Sequence, residues 1–347
     1  MSDIDYDKYY VKHCARYYGW LPAIEKYKEE LNRGSLKYFT LCARSAIDVF
    51  MLEMKGLLLR DESKKLPNVV ICENDKGAAI EILNLVRPPL KEAVIQGPLE
   101  DILLFQDDEQ TKGLSPDAYV KNFRIRERLR IKMLSERLKM FFPFDVINFD
   151  PYGNLLDPGL RKNRLYQCLK KIFELQEQIS TFLLLLTTPI SCVHTDCASR
   201  LRADFEANVH RYKKIRDVLL SSLHTIGYDE IEDKKRIAIG FAKSIVLATA
   251  KNTGWNCEHQ GIYVYQNKHG NRFLSSITKV YRTQSSPDES VYIDDIIRII
   301  KDMPKYYSYK DADTNLEVIK HLEEVKKYRE KVRKEGRTKM SRSERPV

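Results

Sequence analysis

Residues Asp150-Pro151-Tyr152-Gly153 combine groups that could hold a planar amine. The Asp150 carboxylate and the carbonyl oxygen of Pro151 can accept the two N–H bonds of an exocyclic amino group. The ring of Tyr152 can stack on a nucleic-acid base that has left its duplex or loop. These residues therefore predict a site for chemistry on the amino group of a base.

The same four residues have a simpler interpretation. The apolar run of residues 146–149 ends there, and Pro151 and Gly153 are residue types that stop a strand and turn the chain. Asp150 would then serve only to cap the next helix. A four-residue motif does not decide between the two interpretations, so the elements around it matter.

Strands and helices are predicted to alternate around this motif. That alternation is typical of α/β proteins with a mostly parallel sheet. In such sheets ligands bind outside the carboxyl ends of the strands, where Asp150 and Tyr152 would lie. The runs that predict strands are residues 47–50, 69–73, 92–96, 146–149 and 181–187.

Two further β-rich segments, residues 255–267 and 271–283, flank Lys268-His269-Gly270. A glycine-containing turn between such segments predicts an antiparallel hairpin. The expected fold is therefore a mostly parallel sheet that finishes in a terminal antiparallel hairpin.

Apolar residues at helical spacing mark both ends of the chain. Residues 6–33 predict a helical segment whose tyrosines belong to the core. Leu316, Ile319, Leu322 and Val325 predict another helix near the other end. We interpret this second helix as a solvent-facing appendage, with docking on a partner as the alternative. The basic tail after it could strengthen non-specific binding to nucleic acid.

A strongly basic helix is predicted over residues 116–140, within an insertion that spans residues 107–141. Positive charge this dense can track a phosphate backbone, and Arg124, Arg128 and Lys132 are the candidate contacts. The alternative is a solvated helix face neutralised by nearby glutamates.

The composition agrees with an anionic partner. The 347 residues are 43% hydrophobic and 31% charged, as in a globular protein with a highly charged surface. The formal net charge is +10, which suggests nucleic acid as the simplest partner.

Seven scattered cysteines predict a reducing, cytoplasmic compartment. The first residues, Met1-Ser2-Asp3-Ile4-Asp5, are acidic and lack the apolar core of a signal peptide. The longest apolar run, residues 182–186, is much shorter than a membrane span. We therefore expect no membrane association.

Two clusters contain residue types that ligate zinc. Their spacing matches no standard zinc module, and free cysteines are often simply buried. We therefore predict no metal site, although whether the clusters approach each other stays open. The clusters are Cys192, His194 and Cys197, and Cys257 and His259.

The order of the predicted elements resembles the class I S-adenosylmethionine-dependent methyltransferase fold, which is Rossmann-like. The resemblance covers roughly residues 36–284. Asp150 to Gly153 resemble the Asp-Pro-aromatic-Gly motif of three-Cys-motif partner proteins and tRNA guanine-N2 dimethyltransferases. They are also similar to the Asp-Pro-Pro-Tyr motif of DNA amino-methyltransferases. Residues 1–35 would then be an N-terminal helical extension, and residues 285–347 a C-terminal helical extension with a basic tail.

The resemblance implies S-adenosylmethionine as cofactor and assigns roles to residues near it. Asp150, Pro151 and Tyr152 would hold the target base. Glu73 would bind the ribose hydroxyls, with Asp75 as the alternative, and Asp48 would lie near the methionine end. The loop beside the adenine would start at Gln96. The implied cofactor residues are Asp48, Phe50, Glu73, Asp75, Gly97 and Glu100.

One segment departs from the family. Members place a glycine-rich turn after the first strand so that the backbone can approach the cofactor. Here that segment is Asp48-Val49-Phe50-Met51-Leu52-Glu53-Met54-Lys55-Gly56, in which only Asp48, Phe50 and Gly56 echo the pattern.

Two functions stay open. One is an active S-adenosylmethionine-dependent methyltransferase acting on an amino group of a nucleic-acid base, in RNA or DNA. The other is a catalytically silent methyltransferase-like subunit that binds nucleic acid and a protein partner. The intact Asp150 motif favours the first, and the missing glycines favour the second.

Overall fold

A computed structural model of the protein gives the fold. It describes residues 10–41, 45–59, 68–85, 93–106, 123–151, 164–189, 246, 248–269, 272–282, 294 and 305–343.

Eight strands of the described chain form one sheet with the order β3-β2-β1-β4-β5-β7-β6-β8. The neighbours among β1 to β5 are parallel, whereas β7 is antiparallel to both β5 and β6. β8 pairs with β6 and runs parallel to it. The predicted α/β class and the mostly parallel sheet with antiparallel strands at one end are confirmed. The strands are β1 (Tyr38–Thr40), β2 (Val69–Glu73), β3 (Val94–Gln96), β4 (Val146–Phe149), β5 (Thr181–Pro189), β6 (Asn256–Gln266), β7 (Arg272–Tyr281) and β8 (Lys305–Tyr307).

Helices lie on both faces of this sheet. Helix α1 (Tyr10–Ala15) continues through one π-helical turn (Arg16–Trp20) into α2 (Leu21–Leu31). No helix within the described ranges is both long and apolar enough to cross a bilayer. The later helices are α3 (Ile47–Met54), α4 (Lys76–Leu85), α5 (Leu99–Leu103), α6 (Phe123–Phe141), α7 (Arg164–Leu175), α8 (Ala248–Asn252), α9 (Tyr309–Asp313) and α10 (Leu316–Ser343).

The first strand does not lie where the sequence predicts it. Residues 47–50 belong to helix α3, and β1 is the three-residue strand Tyr38–Thr40. Every residue from 47 to 53 is buried, so helix α3 lacks the exposed polar side that gives an amphipathic helix its periodicity. A short apolar run of this kind has the same pattern in a buried helix and in a buried strand.

The core has two halves, one on each face of the sheet. Strands β1, β2 and β4 are buried along their whole length, which explains why their sequences show no simple polar–apolar alternation. One face packs against α5, α6 and α7, through residues such as Leu103 and Phe173. The other packs against α1 to α4 and α10, through residues such as Phe50 and Leu322. Helix α10 is therefore part of the core, and its interpretation as a solvent-facing appendage is wrong.

The strand order defines where a ligand would bind. From β1 the chain builds β2 and β3 on one side and β4 and β5 on the other, so the connections diverge between β1 and β4. In open α/β sheets the ligand crevice lies outside the carboxyl ends of the strands at such a switch point. Thr40 pairs with Asn148 at this edge, and Asp150 follows directly after β4.

Candidate functional site

The carboxylate of Asp150 forms an ion pair with the Lys12 ammonium group from helix α1. Both side chains are mostly buried, with 12% and 20% of their surfaces exposed. Pro151, the next residue, is buried as well. Tyr152 lies outside the described residues. The structure therefore places Asp150 at the predicted edge of the sheet, with its charge already balanced by the N-terminal segment.

A second carboxylate, Asp48, joins β1 to β4. One of its oxygens, Oδ2, accepts hydrogen bonds from the Tyr38 hydroxyl at 2.8 Å and the Thr40 hydroxyl at 2.7 Å. The same oxygen accepts a bond from the Asn148 amide at 3.1 Å, and that amide also donates to the Thr40 hydroxyl. Asp48 is the second residue of helix α3 rather than part of a strand. Its predicted position at the end of the first strand is therefore wrong.

Asp48 is buried and negatively charged. Burial raises the pKa of its carboxyl group, but Arg16 and the three hydrogen bonds outweigh that effect and hold the pKa below its usual value. Arg16 lies four residues after Lys12, so both cations project from one side of the same helical segment. The N-terminal segment thus supplies a positive charge to each of the two carboxylates at the switch point.

Two oxygens in this cluster have no hydrogen-bond partner among the described residues. They are Oδ1 of Asp48 and Oδ1 of Asn148, and both are buried. Both atoms are acceptors, because the first belongs to an ionised carboxylate and the second to an amide carbonyl. The Asp48 cluster therefore keeps two buried acceptors that its own residues do not satisfy.

Phe50 and Gly56 do not form a cofactor turn. Phe50 is fully buried in the core beneath the sheet. Gly56 has a left-handed backbone with φ 66°, and its N–H donates to the Glu53 carbonyl, so it ends helix α3. The segment that follows β1 is residues 41–46, which contains no glycine. The departure from the family pattern therefore persists at the corrected position.

Glu73 and Gly97 meet at the carboxyl ends of β2 and β3. The Gly97 N–H donates to the Glu73 carbonyl oxygen at 3.0 Å. The Glu73 carboxylate accepts the Asp75 N–H at 2.8 Å and is almost fully buried. A Cβ atom at Gly97 would stand only 3.2 Å from the Ile102 side chain, so the position suits glycine. The structure therefore brings together the two residues expected at the ribose and adenine ends of a cofactor.

Asp75 and Glu100 have other surroundings. The Asp75 carboxylate accepts the Ala78 N–H at 2.7 Å, so Asp75 caps the start of helix α4. Glu100 lies in helix α5 close to Cys168 of helix α7. Burial, with a contribution from Glu100, raises the pKa of the Cys168 thiol to about 12. Asp75 and Glu73 thus each accept one backbone N–H at the start of the same helix, Asp75 from an exposed position and Glu73 from a buried one.

Arg130 is a residue that sequence reasoning did not select. Its guanidinium group donates to the Gln96 carbonyl at 2.9 Å and to the Gln96 amide oxygen at 3.2 Å. It also forms an ion pair with Glu127 at 2.7 Å, which raises the Arg130 pKa and lowers that of Glu127. Arg130 thus attaches the basic helix to the end of β3. The three-residue spacing of Glu127 and Arg130 was the available local signal.

The basic helix is α6, and its surface is not uniformly charged. Arg124, Arg128 and Lys132 follow one another at four-residue spacing along one flank. The Arg128 guanidinium lies 5.8 Å from the centre of the Phe105 ring. Three large apolar side chains interrupt the exposed side, namely Phe123, Met133 and Met140, which are 71%, 69% and 69% exposed.

The zinc candidates are only partly within the described residues. Cys257 and His259 both lie on strand β6 and are buried. Cys192, His194 and Cys197 lie outside the described part of the chain. Within the part that is described, no three His, Cys, Asp or Glu side chains are grouped as a metal site.

Comparison with protein-family models, curated proteins and solved structures finds no match to this chain.

Proposed function

We propose that this chain is an S-adenosylmethionine-dependent methyltransferase that acts on an amino group of a nucleic-acid base. One observation carries the proposal. Glu73 at the end of β2 and Asp150 after β4 lie at the same edge of the sheet, on either side of β1. The parallel strands followed by an antiparallel hairpin also agree with the methyltransferase resemblance.

The proposed roles follow from the chemistry of each group. The Asp150 carboxylate and the Pro151 carbonyl would accept N–H bonds of the target amine and orient its nitrogen. Tyr152 would stack on the base. The cofactor, when bound, supplies an electrophilic methyl group, so orientation rather than an acid–base triad is what the protein provides. Lys12 is ion-paired with Oδ2 of Asp150, so an amine that binds this oxygen would have to displace the ammonium group.

The fit to the cofactor differs between its two ends. At the ribose end Glu73 and Gly97 supply an acid and a position without a side chain. At the methionine end the segment of residues 41–46 has no glycine, and Asp48 already bonds to Tyr38, Thr40 and Asn148. The ribose end therefore carries the proposal.

The second candidate is a catalytically silent methyltransferase-like subunit that binds nucleic acid and a protein partner. The ion pair of Lys12 with Asp150 favours it, because the pair gives Asp150 a structural role in holding helix α1. The positive charge of Arg16, which lowers the pKa of the buried Asp48 carboxyl group, points the same way.

Methyl transfer to cellular RNA and DNA separates the two candidates. The chain offers a matched control for Asp150, since Asp145 begins the same strand segment and is ion-paired with Arg33 at the opposite edge of the sheet. If Asp150 acts on the amine, Asp150→Asn abolishes transfer of a tritiated methyl group while Asp145→Asn retains it. Equal transfer by both variants would contradict the assignment of Asp150.

Cofactor binding is tested by calorimetry with S-adenosylmethionine. We expect micromolar binding by the wild type, on the order of −8 kcal/mol, with clear weakening in Glu73→Gln. Asp75→Asn is the control because it keeps a capping residue near the same loop. Absence of heat at millimolar cofactor would favour the silent subunit.

A further inference from the structure

Helix α10 changes its charge along its length. Its inner side is buried through Val318, Leu322, Val325 and Val332. Its exposed residues in the first half include both signs of charge, among them Lys320, Glu323 and Glu324. Residues 326–334 contain a single acid, Glu330, against six basic residues, which are Lys326, Lys327, Arg329, Lys331, Arg333 and Lys334.

Three of these lysines form a stripe opposite the buried side. Lys327, Lys331 and Lys334 are exposed and recur at spacings of four and three residues, so they project in one direction. The stripe spans about 10 Å, at a rise of about 1.5 Å per residue. Lys327 and Lys331 form no ion pair within the described ranges. Positive charges in a row on one side of a helix can track the phosphate backbone of a nucleic-acid strand.

Contacts with α3 place this stripe near the candidate site. Val318, Leu322 and Val325 face Ile47 and Met51 across a small cavity in the core. Further along α10, the Arg329 guanidinium lies 3.5 Å from the carbonyl oxygen of Ser45, in the segment that follows β1. Helix α10 therefore packs along α3 towards the carboxyl edge of the sheet. Its basic half lies at that edge.

Some of the basic side chains of α6, unlike Lys327 and Lys331 of the α10 stripe, are engaged in polar or ring contacts with other described residues. Arg130 bonds to Gln96 and Glu127, and Arg128 lies over Phe105. Exposed Met133 and Met140 further divide the charge on that helix. Over residues 316–335 of helix α10, whose side chains the structure describes, the one exposed large apolar residue is Leu316 at the start.

From these contacts we infer that the stripe of Lys327, Lys331 and Lys334 is the main surface that holds the phosphate backbone of a nucleic-acid strand beside the switch point. This inference rests on the proposed nucleic-acid function and names where the strand is held. A membrane is a poorer partner for the stripe, because the apolar side of α10 is buried in the core and cannot enter a bilayer.

The test compares two triple variants of the full chain that each lose three positive charges. One is Lys327→Gln, Lys331→Gln and Lys334→Gln, and the matched control is Arg124→Gln, Arg128→Gln and Lys132→Gln. Fluorescence anisotropy measures the binding of a labelled single-stranded RNA and of the corresponding DNA over a range of salt concentrations. Circular dichroism checks that both variants fold.

If the α10 stripe holds the strand, its triple variant flattens the log–log salt dependence by about two units, at roughly 0.7 per phosphate contact. Affinity in about 0.1 M salt then falls by about tenfold or more. The α6 variant, which loses the same net charge, changes less. Equal losses in the two variants, or a larger loss in the α6 variant, would overturn the inference. So would wild-type binding to anionic phosphatidylserine vesicles but to neither nucleic acid.

Methyl transfer is scored separately, so that the two proposals can fail independently. Transfer by the wild type together with unchanged RNA and DNA affinity in the α10 variant overturns only the inference about the stripe. Binding that depends on the stripe, without transfer to any nucleic acid, supports the stripe and contradicts the proposed activity.

Discussion

The ammonium group of Lys12 and the carboxylate of Asp150 are ion-paired across 138 residues of sequence. This pair connects helix α1 to the carboxyl end of β4, where methyl transfer to a nucleic-acid base is proposed. It also occupies Oδ2, one of the two carboxylate oxygens that could receive the amine. The strength of this pair therefore bears on both the stability of the fold and access to the site.

Lys12→Met tests that strength. The substitution keeps the length of the side chain but leaves a mostly buried carboxylate without its cation. We expect the free energy of unfolding to fall by about 1–3 kcal/mol, as for loss of a charged hydrogen bond. Urea denaturation measures it. The double variant with Asp150→Asn should lose less than the sum of the single losses, and strict additivity would show that the pair contributes nothing.

The Asp48 cluster predicts a different pattern. Asp48→Ala leaves the donors of Tyr38, Thr40 and Asn148 without their shared acceptor. We expect a loss of about 3 kcal/mol or more in unfolding free energy, because unsatisfied buried groups are costly. Asp48→Asn keeps an acceptor and should cost less. A cost for Asp48→Ala no larger than that of an exposed substitution would contradict the cluster.

Acid stability offers a second test of Asp48. Because its pKa in the folded protein lies below the unfolded value, its contribution to stability is complete above that unfolded value, about 3.9. The contribution is lost as the pH falls through the lower, folded value. Asp48→Asn should therefore show a shallower loss of unfolding free energy than the wild type on acidification below about pH 4. Identical pH profiles would show that Asp48 is not preferentially ionised in the fold.

Asp75 caps helix α4, and this role predicts the effect of replacing it on stability and on cofactor binding. Its carboxylate bonds to the Ala78 N–H at the start of α4. Asp75→Ala should lower the unfolding free energy by about 1 kcal/mol. Since the cap faces its own helix, cofactor affinity measured by calorimetry should stay close to that of the wild type. A loss of affinity as large as that of Glu73→Gln would move the ribose contact to Asp75.

His321 on α10 predicts pH-dependent stability. It is buried against Tyr17, with a ring-centre distance of 4.7 Å, and shares a cavity with His13. Burial and nearby Lys55 lower its pKa, against an opposing contribution from Glu324. The neutral ring therefore stabilises the fold above the unfolded pKa of about 6.5, and that stability is lost as the pH falls through the lower folded value.

The check is the melting temperature at pH 7.5 and pH 5.5. The wild type should lose more on acidification than His321→Gln, whereas His269→Gln serves as the control because His269 is exposed in the β6–β7 turn. A wild-type pH dependence that survives in His321→Gln would assign the effect to another group.

Most strands could be predicted because each is a compact apolar or β-branched run with a clear boundary. Residues 69–73 and 146–149 match β2 and β4 at both ends, and the arms of the hairpin match β6 and β7 within one or two residues. The exceptions are β8, which lies in a region expected to be helical, and β1, a strand of three residues with no apolar run of its own. The longer apolar run after β1 forms helix α3, and the sequence predicts the first strand there instead.

The site was predictable only in part, for a related reason. Glu73 and Asp150 terminate recognisable strands, so the rule for parallel sheets places them at one edge. Lys12 and Arg16 gave no comparable signal. Their partners lie far along the chain, and the spacing of residues in one helix says nothing about which distant carboxylate it will face. Contacts of this kind follow from the packing of helices, which local patterns do not specify.

The packing of the N-terminal helical segment, from α1 through the π-helical turn, against the start of α10 has a consequence for how the chain is made. Tyr17 contacts His321, and the Tyr18 hydroxyl donates a hydrogen bond to Asn315. The two residues of each pair are about 300 residues apart in the sequence, so the second is synthesised long after the first. A growing chain therefore carries α1 and α3 for most of translation without the helix that covers them. Apolar side chains such as Ile47 and Met51, which face α10, would stay unprotected until the ribosome has released α10, so nascent chains stalled before that point should depend on chaperones.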